Sequence, residues 1–283
     1  MAPLTSPRAH HLVSAETLLA TPPGRVVVLD VRAGTDGRSD RDAYLRGHLP
    51  GAVFVDLDAD LSGPRTPLSG DRPLPDAGQL TDAVREWGIS PASPVVVYDD
   101  SRSAPAGRAW WILRWAGLTN VRILDGGLAA WRSAGGALDT GDARRPQRGT
   151  AIASPGHLPV VTTDQIPHLA RGGLLLDARP ADLHDAGHIP DAVGAPVFAD
   201  LDDAGRLRTE HELRARYGAL RLDGTTPAAT YCGSAVAAAF QVFVLATLGV
   251  EASLYVGSYS AWTSDPQRAV ARGTGAVPSS PTA

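Results

Sequence analysis

The chain has 283 residues, enough for about two domains of ordinary size, with 43% hydrophobic residues to fill their cores and 20% charged residues. Formal net charge is −4, from 26 basic against 30 acidic residues, so there is no basic footprint for nucleic acid. All 26 basic residues are Arg, which excludes lysine Schiff-base chemistry and a P-loop lysine, and the single Cys excludes an intramolecular disulfide or a cysteine zinc cluster. No apolar run approaches the roughly 18 residues that span a bilayer. Met1 to His11 is polar, contains Pro and has no apolar signal-peptide core, so the expected location is cytoplasmic.

In chain order, Val26 to Asp30 is a continuous apolar run, the pattern of a strand buried on both faces, and Val95 to Tyr98 is another. Between Arg108 and Gly117 an apolar helical pattern carries Trp110, Trp111 and Trp115. These are core residues rather than a cofactor box, and Gly117 suits the C′ position that stops a helix. Val121 to Leu124 returns as a strand. Strands alternating with helices indicate parallel βαβ units. Ala137 to Pro159 is rich in Gly, Pro, Arg and small polar residues, lacks periodicity and reads as a linker. In the second half Ala228 to Tyr231 is a short strand, and Ala235 to Leu248 an apolar helix stopped at Gly249. The tail from Arg272 to Ala283 reads as disordered.

The second half repeats the first. Asp30-Val31-Arg32 recurs as Asp177-Ala178-Arg179, and Gly47-His48-Leu49-Pro50 as Gly187-His188-Ile189-Pro190. Tyr98-Asp99 recurs as Tyr231-Cys232, and Gly126 with Trp131 as Gly257 with Trp262. The offsets shrink from 147 through 140 and 133 to 131, so the second copy has shorter connections. Four shared elements in one order indicate duplication. The expected domains are 1–136 and 160–271, joined by 137–159 and followed by the tail 272–283.

Cys232 stands where a strand gives way to a helix, the carboxyl edge at which α/β sheets bind ligands. Small residues follow it, Gly233 and Ser234, so backbone N–H groups and the helix N-terminus favour an anion there. A thiolate at such a position has its pKa lowered. A lone Cys is often only a small buried hydrophobe. Here the scaffold does not need a thiol, because Asp99 occupies the equivalent position, and Cys232 is assigned to chemistry.

The tandem layout, the D-x-R and G-H-[LI]-P-x-A elements, the Y-C-G-S-A-V-A turn and the distal G-S-Y-S-A-W resemble the rhodanese family, in particular its two-domain thiosulfate and 3-mercaptopyruvate sulfurtransferases. The resemblance implies two tandem rhodanese-like domains of α/β class, each a small parallel sheet flanked by helices. It implies an inert N-terminal copy and a C-terminal copy whose Cys232 carries sulfur as a persulfide. Sulfur would pass from a small-molecule donor to a thiol acceptor or cyanide, with no cofactor and no metal. The persulfide would be held by the loop residues Gly233, Ser234, Ala235, Val236, Ala237 and Ala238. Ser234 would relay a proton, or simply stabilise the turn. Neutral Gly233 and Ser234 are similar to the mercaptopyruvate type, whose loop reads C-G-S-G-V-T-A, so 3-mercaptopyruvate is the expected better donor. Ala235 and Ala237 depart from that loop, and Ala235 would restrict a turn that needs positive φ. Arg179 matches the family's carboxylate-binding Arg, beside the plainer reading of a salt bridge with Asp177. The second substrate Arg has no counterpart between Pro180 and Ala186. Arg206, Arg208 and Arg102 are the candidate replacements. His48 matches a histidine implied in a hydrogen-bond relay, but its recurrence as His188 favours a turn role. A phosphatase is disfavoured because C-x5-R needs an Arg where Ala238 stands. A metal or nucleotide enzyme lacks its motifs. A non-catalytic sulfur carrier or binding module remains the alternative.

Overall fold

The computed structural model describes residues 6–34, 36–222 and 224–273; from residue 274 on, the tail expected to be disordered lies outside the described residues. Among these, two five-stranded parallel sheets form. In the first, β1 (Leu12–Val13), β2 (Val27–Asp30), β3 (Val53–Phe54), β4 (Val95–Tyr98) and β5 (Val121–Leu124) lie in the order β1-β5-β4-β2-β3. In the second, β6 (Val160–Val161), β7 (Leu174–Asp177), β8 (Val193–Gly194), β9 (Ala228–Tyr231) and β10 (Ser253–Tyr255) lie in the order β6-β10-β9-β7-β8. The topology is the same twice. The central strands β4, β7 and β9 are buried at every position, which is why they read as unbroken apolar runs. In the second sheet, β9 connects toward one edge and β7 toward the other, so their carboxyl ends flank the crevice at the switch point.

The repeated motifs are repeated contacts. Arg32 donates to Asp30 and to Gly47 O, and Arg179 to Asp177 and to Gly187 O. Tyr98 and Tyr231 each donate to that same Asp while accepting the N–H of Leu49 or Ile189. Trp131 and Trp262 each tie Nε1 to a carbonyl at 2.8 Å, of Ala137 and Ala269 respectively. Each clasp joins the end of a central strand to the turn that follows, and satisfies a buried carboxylate that would otherwise be costly.

The two halves share a packed core. The helix Ala104–Trp115 follows β4 and the helix Val236–Thr247 follows β9. Both are buried nearly all round, because each packs on its own sheet and also on the other helix. Gly107 permits the approach: a Cβ there would sit 2.5 Å from Cβ of Phe240. Trp110 meets Phe243 edge-on at 5.2 Å, and one cluster of buried side chains runs from Leu29 to Leu254. A helix apolar on all faces is the sequence mark of this arrangement. The segment 137–159 forms no helix or strand and lies on the first half, with Arg148 paired to Asp82 and Glu86 and Ala151 fully buried. Among the described residues no helix is long and apolar enough to cross a membrane.

Candidate active site

Each half presents one loop between its central strand and the shared helix layer. In the first half Asp100 to Ser103 separate Asp99 from the helix start, and in the second Gly233 to Ala235 separate Cys232 from it, so the second loop is one residue tighter. The first loop shows what this turn binds. The carboxylate of Asp99, fully buried, accepts the N–H groups of Ser101 at 2.7 Å, Ser103 at 3.0 Å and Ala106 at 2.9 Å. It is an internal anion in a cradle of backbone donors. Burial pushes its pKa up to about 6, against the pull of those three donors.

Counted from the strand, Ser101 corresponds to Ser234. Counted from the helix starts, Ser103 and Ala106 correspond to Ala235 and Ala238. By this count Ser234, Ala235 and Ala238 hold the positions of those three donors, with a thiol where the carboxylate stood. Cys232 is 4% exposed. Its N–H donates to Ser258 Oγ at 3.3 Å and its carbonyl accepts from Tyr259 N at 2.9 Å. Ser258 is left-handed, φ 52, as is its counterpart Gly127, φ 54; its hydroxyl anchors to Tyr255 O at 3.0 Å. Gly233 is exposed, with nothing within 4 Å of a Cβ built on it. Ala235 is fully buried at φ 61, the left-handed turn that its methyl was expected to strain, at about 1–2 kcal/mol. Val236, Ala237 and Ala238 form the first helical turn, whose N–H groups have no helical partner of their own.

The roof of this loop comes from the first half. At Gly70 a Cβ would fall 2.4 Å from Gly257 O, and Asp71 N–H donates to Ser260 Oγ at 3.0 Å. Arg72 Nη1 donates to Ser234 Oγ at 3.1 Å. Behind it Arg108, fully buried on the shared helix, donates through Nη2 to Arg72 O at 3.0 Å. Its Nε and Nη1 have no partner among the described residues. Burial lowers its pKa to about 10, Cys232 acting the other way and Arg72 adding to the fall, so it stays cationic at neutral pH.

The structure thus gathers Cys232, Gly233, Ser234, Ala235, Val236, Ala237 and Ala238 in one loop. Neither Arg179 nor His48 has a hydrogen bond to it among the described residues; Arg179 lies against Tyr259, whose N–H bonds the Cys232 carbonyl. Arg179 forms the salt bridge of the plainer reading: the side chain is 8% exposed, bonded through Nε and Nη2 to Asp177 and through Nη2 to Gly187 O, and lies 3.9 Å over the Tyr259 ring. Arg32 makes the same clasp in the half without a thiol. Burial alone would raise the Asp177 carboxyl; Arg179, His184 and Tyr231 more than offset it and hold its pKa below the usual carboxylate range. His48 is buried and stacked on Tyr44 at 4.0 Å with Nδ1 at Tyr44 O, and His188 repeats this on His184, so both serve their turns. Arg102 and Arg208 line the first loop instead, at a cavity of about 610 Å³ with Asp99, Asp202 and Phe198. Sequence reasoning missed Arg72, Arg108, Ser258 and Ser260; only the last two lay within a recognised motif, G-S-Y-S-A-W.

Fold and loop together define a tandem α/β protein that offers one thiol to an anion-binding turn, the class that transfers groups through cysteine. Residues 14–134 and 163–265 match the Rhodanese-like domain family, and the chain belongs to that family. SseB of Mycobacterium tuberculosis (strain ATCC 25618 / H37Rv), named as a candidate thiosulfate sulfurtransferase, is 44% identical over 264 residues, covering 88% of this chain and 92% of that one. The 3-mercaptopyruvate sulfurtransferase of Escherichia coli (strain K12) is 35% identical over 84% of this chain and 89% of its own. The crystal structure of SseA from Escherichia coli superposes with a TM-score of 0.79 at 33% identity, covering 88% of this chain and 98% of that one.

Proposed function

We propose that this protein is a sulfurtransferase that takes a sulfane sulfur from 3-mercaptopyruvate or thiosulfate onto Cys232 and passes it to a thiol, or to cyanide in an assay. The observation that carries the reading is the Asp99 carboxylate in its cradle of three N–H groups. Its oxygens stand two bonds beyond Cβ, as the outer sulfur of a cysteine persulfide does, so the corresponding cradle around Cys232 suits a persulfide anion.

In the first half-reaction the thiolate attacks the donor's sulfur. With 3-mercaptopyruvate the C–S bond breaks, its electron pair goes to carbon, and the enolate takes a proton to become pyruvate. With thiosulfate the S–S bond breaks and sulfite leaves. In the second, an acceptor thiolate attacks the outer sulfur and Cys232 departs as thiolate. This is covalent catalysis in two steps, with ping-pong kinetics. Ser234, at the mouth, is the candidate proton relay. With no second Cys in the chain, the persulfide waits for an external acceptor, which suits the thiol-rich cytoplasm. A thiolate there is also open to over-oxidation by small oxidants that enter the loop.

Intact-mass analysis after donor treatment is expected to show one added sulfur on the Cys232 peptide. Cys232→Ser is expected to abolish both adduct and turnover. Transfer retained in Cys232→Ser refutes the assignment, because no other thiol exists; an adduct without turnover points to a sulfur carrier.

A further inference from the structure

We propose that Arg72, contributed by the half without a thiol, receives the anionic group of the sulfur donor and sets donor specificity. This rests on the sulfur-transfer reading and deepens it. The donors share one feature besides sulfur, an oxyanion: a carboxylate in one, the –SO3 group in the other. A cation is therefore needed at the loop mouth, and the loop itself has none. Gly233, Ser234, Ala235 and Val236 are neutral. Arg179 is ion-paired to Asp177, and Arg108 is fully buried.

Arg72 reaches the mouth and remains open to solvent, with 15% of its side chain exposed. Its guanidinium is fixed on three sides: Nε on Asp58 Oδ1 at 2.7 Å, Nη2 on Gly37 O at 2.8 Å and Nη1 on Ser234 Oγ at 3.1 Å. Its backbone is fixed as well, through Arg108 on its carbonyl and the Asp71 N–H on Ser260. A guanidinium carries five N–H donors, so these contacts leave one N–H on each terminal nitrogen among the described residues. A carboxylate or an –SO3 group can accept from these, each bond strengthened by charge. Because the side chain is already held in place, little ordering entropy is lost when the donor binds. The contact to Ser234, two residues from Cys232, sets the anion beside the sulfur to be attacked.

The test compares the parent with Arg72→Gln and Arg72→Lys by two readouts. The first is the donor concentration that half-loads Cys232 with sulfur in a single turnover, for 3-mercaptopyruvate and for thiosulfate separately. The second is the ratio of Cys232 alkylation rates by iodoacetate and iodoacetamide, an anion and its neutral analogue. Loss of one charge-assisted contact is expected to raise the half-loading concentration of an anionic donor about ten- to hundredfold in Arg72→Gln. Arg72→Lys should recover part of this, and the preference for iodoacetate should fall in parallel. A larger shift for one donor identifies a carboxylate or an –SO3 receptor. Half-loading within about twofold of the parent for both donors, or equal slowing of both alkylating agents, overturns the proposal. A parent that takes up no sulfur overturns the transfer reading instead, and the alkylation ratio still decides whether Arg72 receives an anion.

Discussion

The Asp99 and Cys232 loops have one scaffold and opposite roles. Each leaves the central strand of its own parallel sheet, the two sheets sharing one topology, both open a helix of the shared core, and both contain left-handed residues with a Cβ, Ser103 and Arg102 in one and Ala235 in the other. In the first, the anion is part of the chain and never leaves, so the cradle is filled permanently. In the second, a shorter thiol leaves room for a sulfur to come and go. The roofs differ too. The Asp99 loop opens on a cavity whose walls mix Asp100, Asp202 and Asp203 with Arg102 and Arg208, while the Cys232 loop lies under Arg72 with Arg108 behind it. The difference teaches that the turn supplies donors for an anion, and the opposing half decides which anion arrives.

The sharpest way to break this comparison is to move the thiol. In a Cys232→Ser background, Asp99→Cys places sulfur chemistry in the first loop, away from Arg72 and Arg108 and facing a mouth where acidic and basic side chains mix. Sulfur loading there is expected to fall roughly a hundredfold or more below the parent, on the order of 3 kcal/mol in barrier, as read by mass spectrometry. Loading at the parent's rate would mean that the loop alone suffices.

The next effect is on stability. The Asp99 carboxyl, raised from 3.8 to about 6 in the fold, favours the folded state most when protonated. Its contribution is fully present below pH 3.8 and is lost as pH rises through about 6, on the order of 3 kcal/mol in all. Asp99→Asn removes the titration. Urea midpoints between pH 4 and 7 should therefore show a declining stability for the parent relative to the variant. Parallel profiles would place the carboxylate outside its buried cradle.

The smallest effect sharpens the comparison within the Cys232 loop. Ala235→Gly relieves the left-handed strain and costs some unfolded-state entropy, for a net gain of up to about 1 kcal/mol, measured by denaturant midpoint. A loss of stability would mean that the turn is not left-handed in solution.

Much of this was legible in the residues. The paired Asp–Arg, Gly-His, Tyr and Trp elements announced the duplication because each belongs to a clasp needed wherever the turn occurs, the Asp–Arg and Trp contacts made within a few residues and the Tyr contacts across the sheet. The strain at Ala235 was legible because only glycine is at ease at positive φ. The roof was not. Arg72 reaches Ser234 across 162 residues, lies in no repeated motif, and sits in the copy that lacks the thiol. Arg108 falls where the second copy has Phe240, so comparing halves gave it no partner. The two-residue edge strands β1, β3, β6 and β8 were too short for any periodicity. The packed interface was half visible, in a Trp-bearing helix with no polar face, but what covered it was not.

The approach of Gly107 to Phe240 also has a consequence for how the gene can be cut. Expressing the thiol-bearing half alone would strip the apolar helix Val236–Thr247 of its cover and remove Arg72 and Arg108 from above the loop. Such a fragment would be sticky and chemically blunted at once. The two halves are complementary parts of one machine: the copy without a thiol serves as a structural chaperone and as the wall of its sibling's workshop.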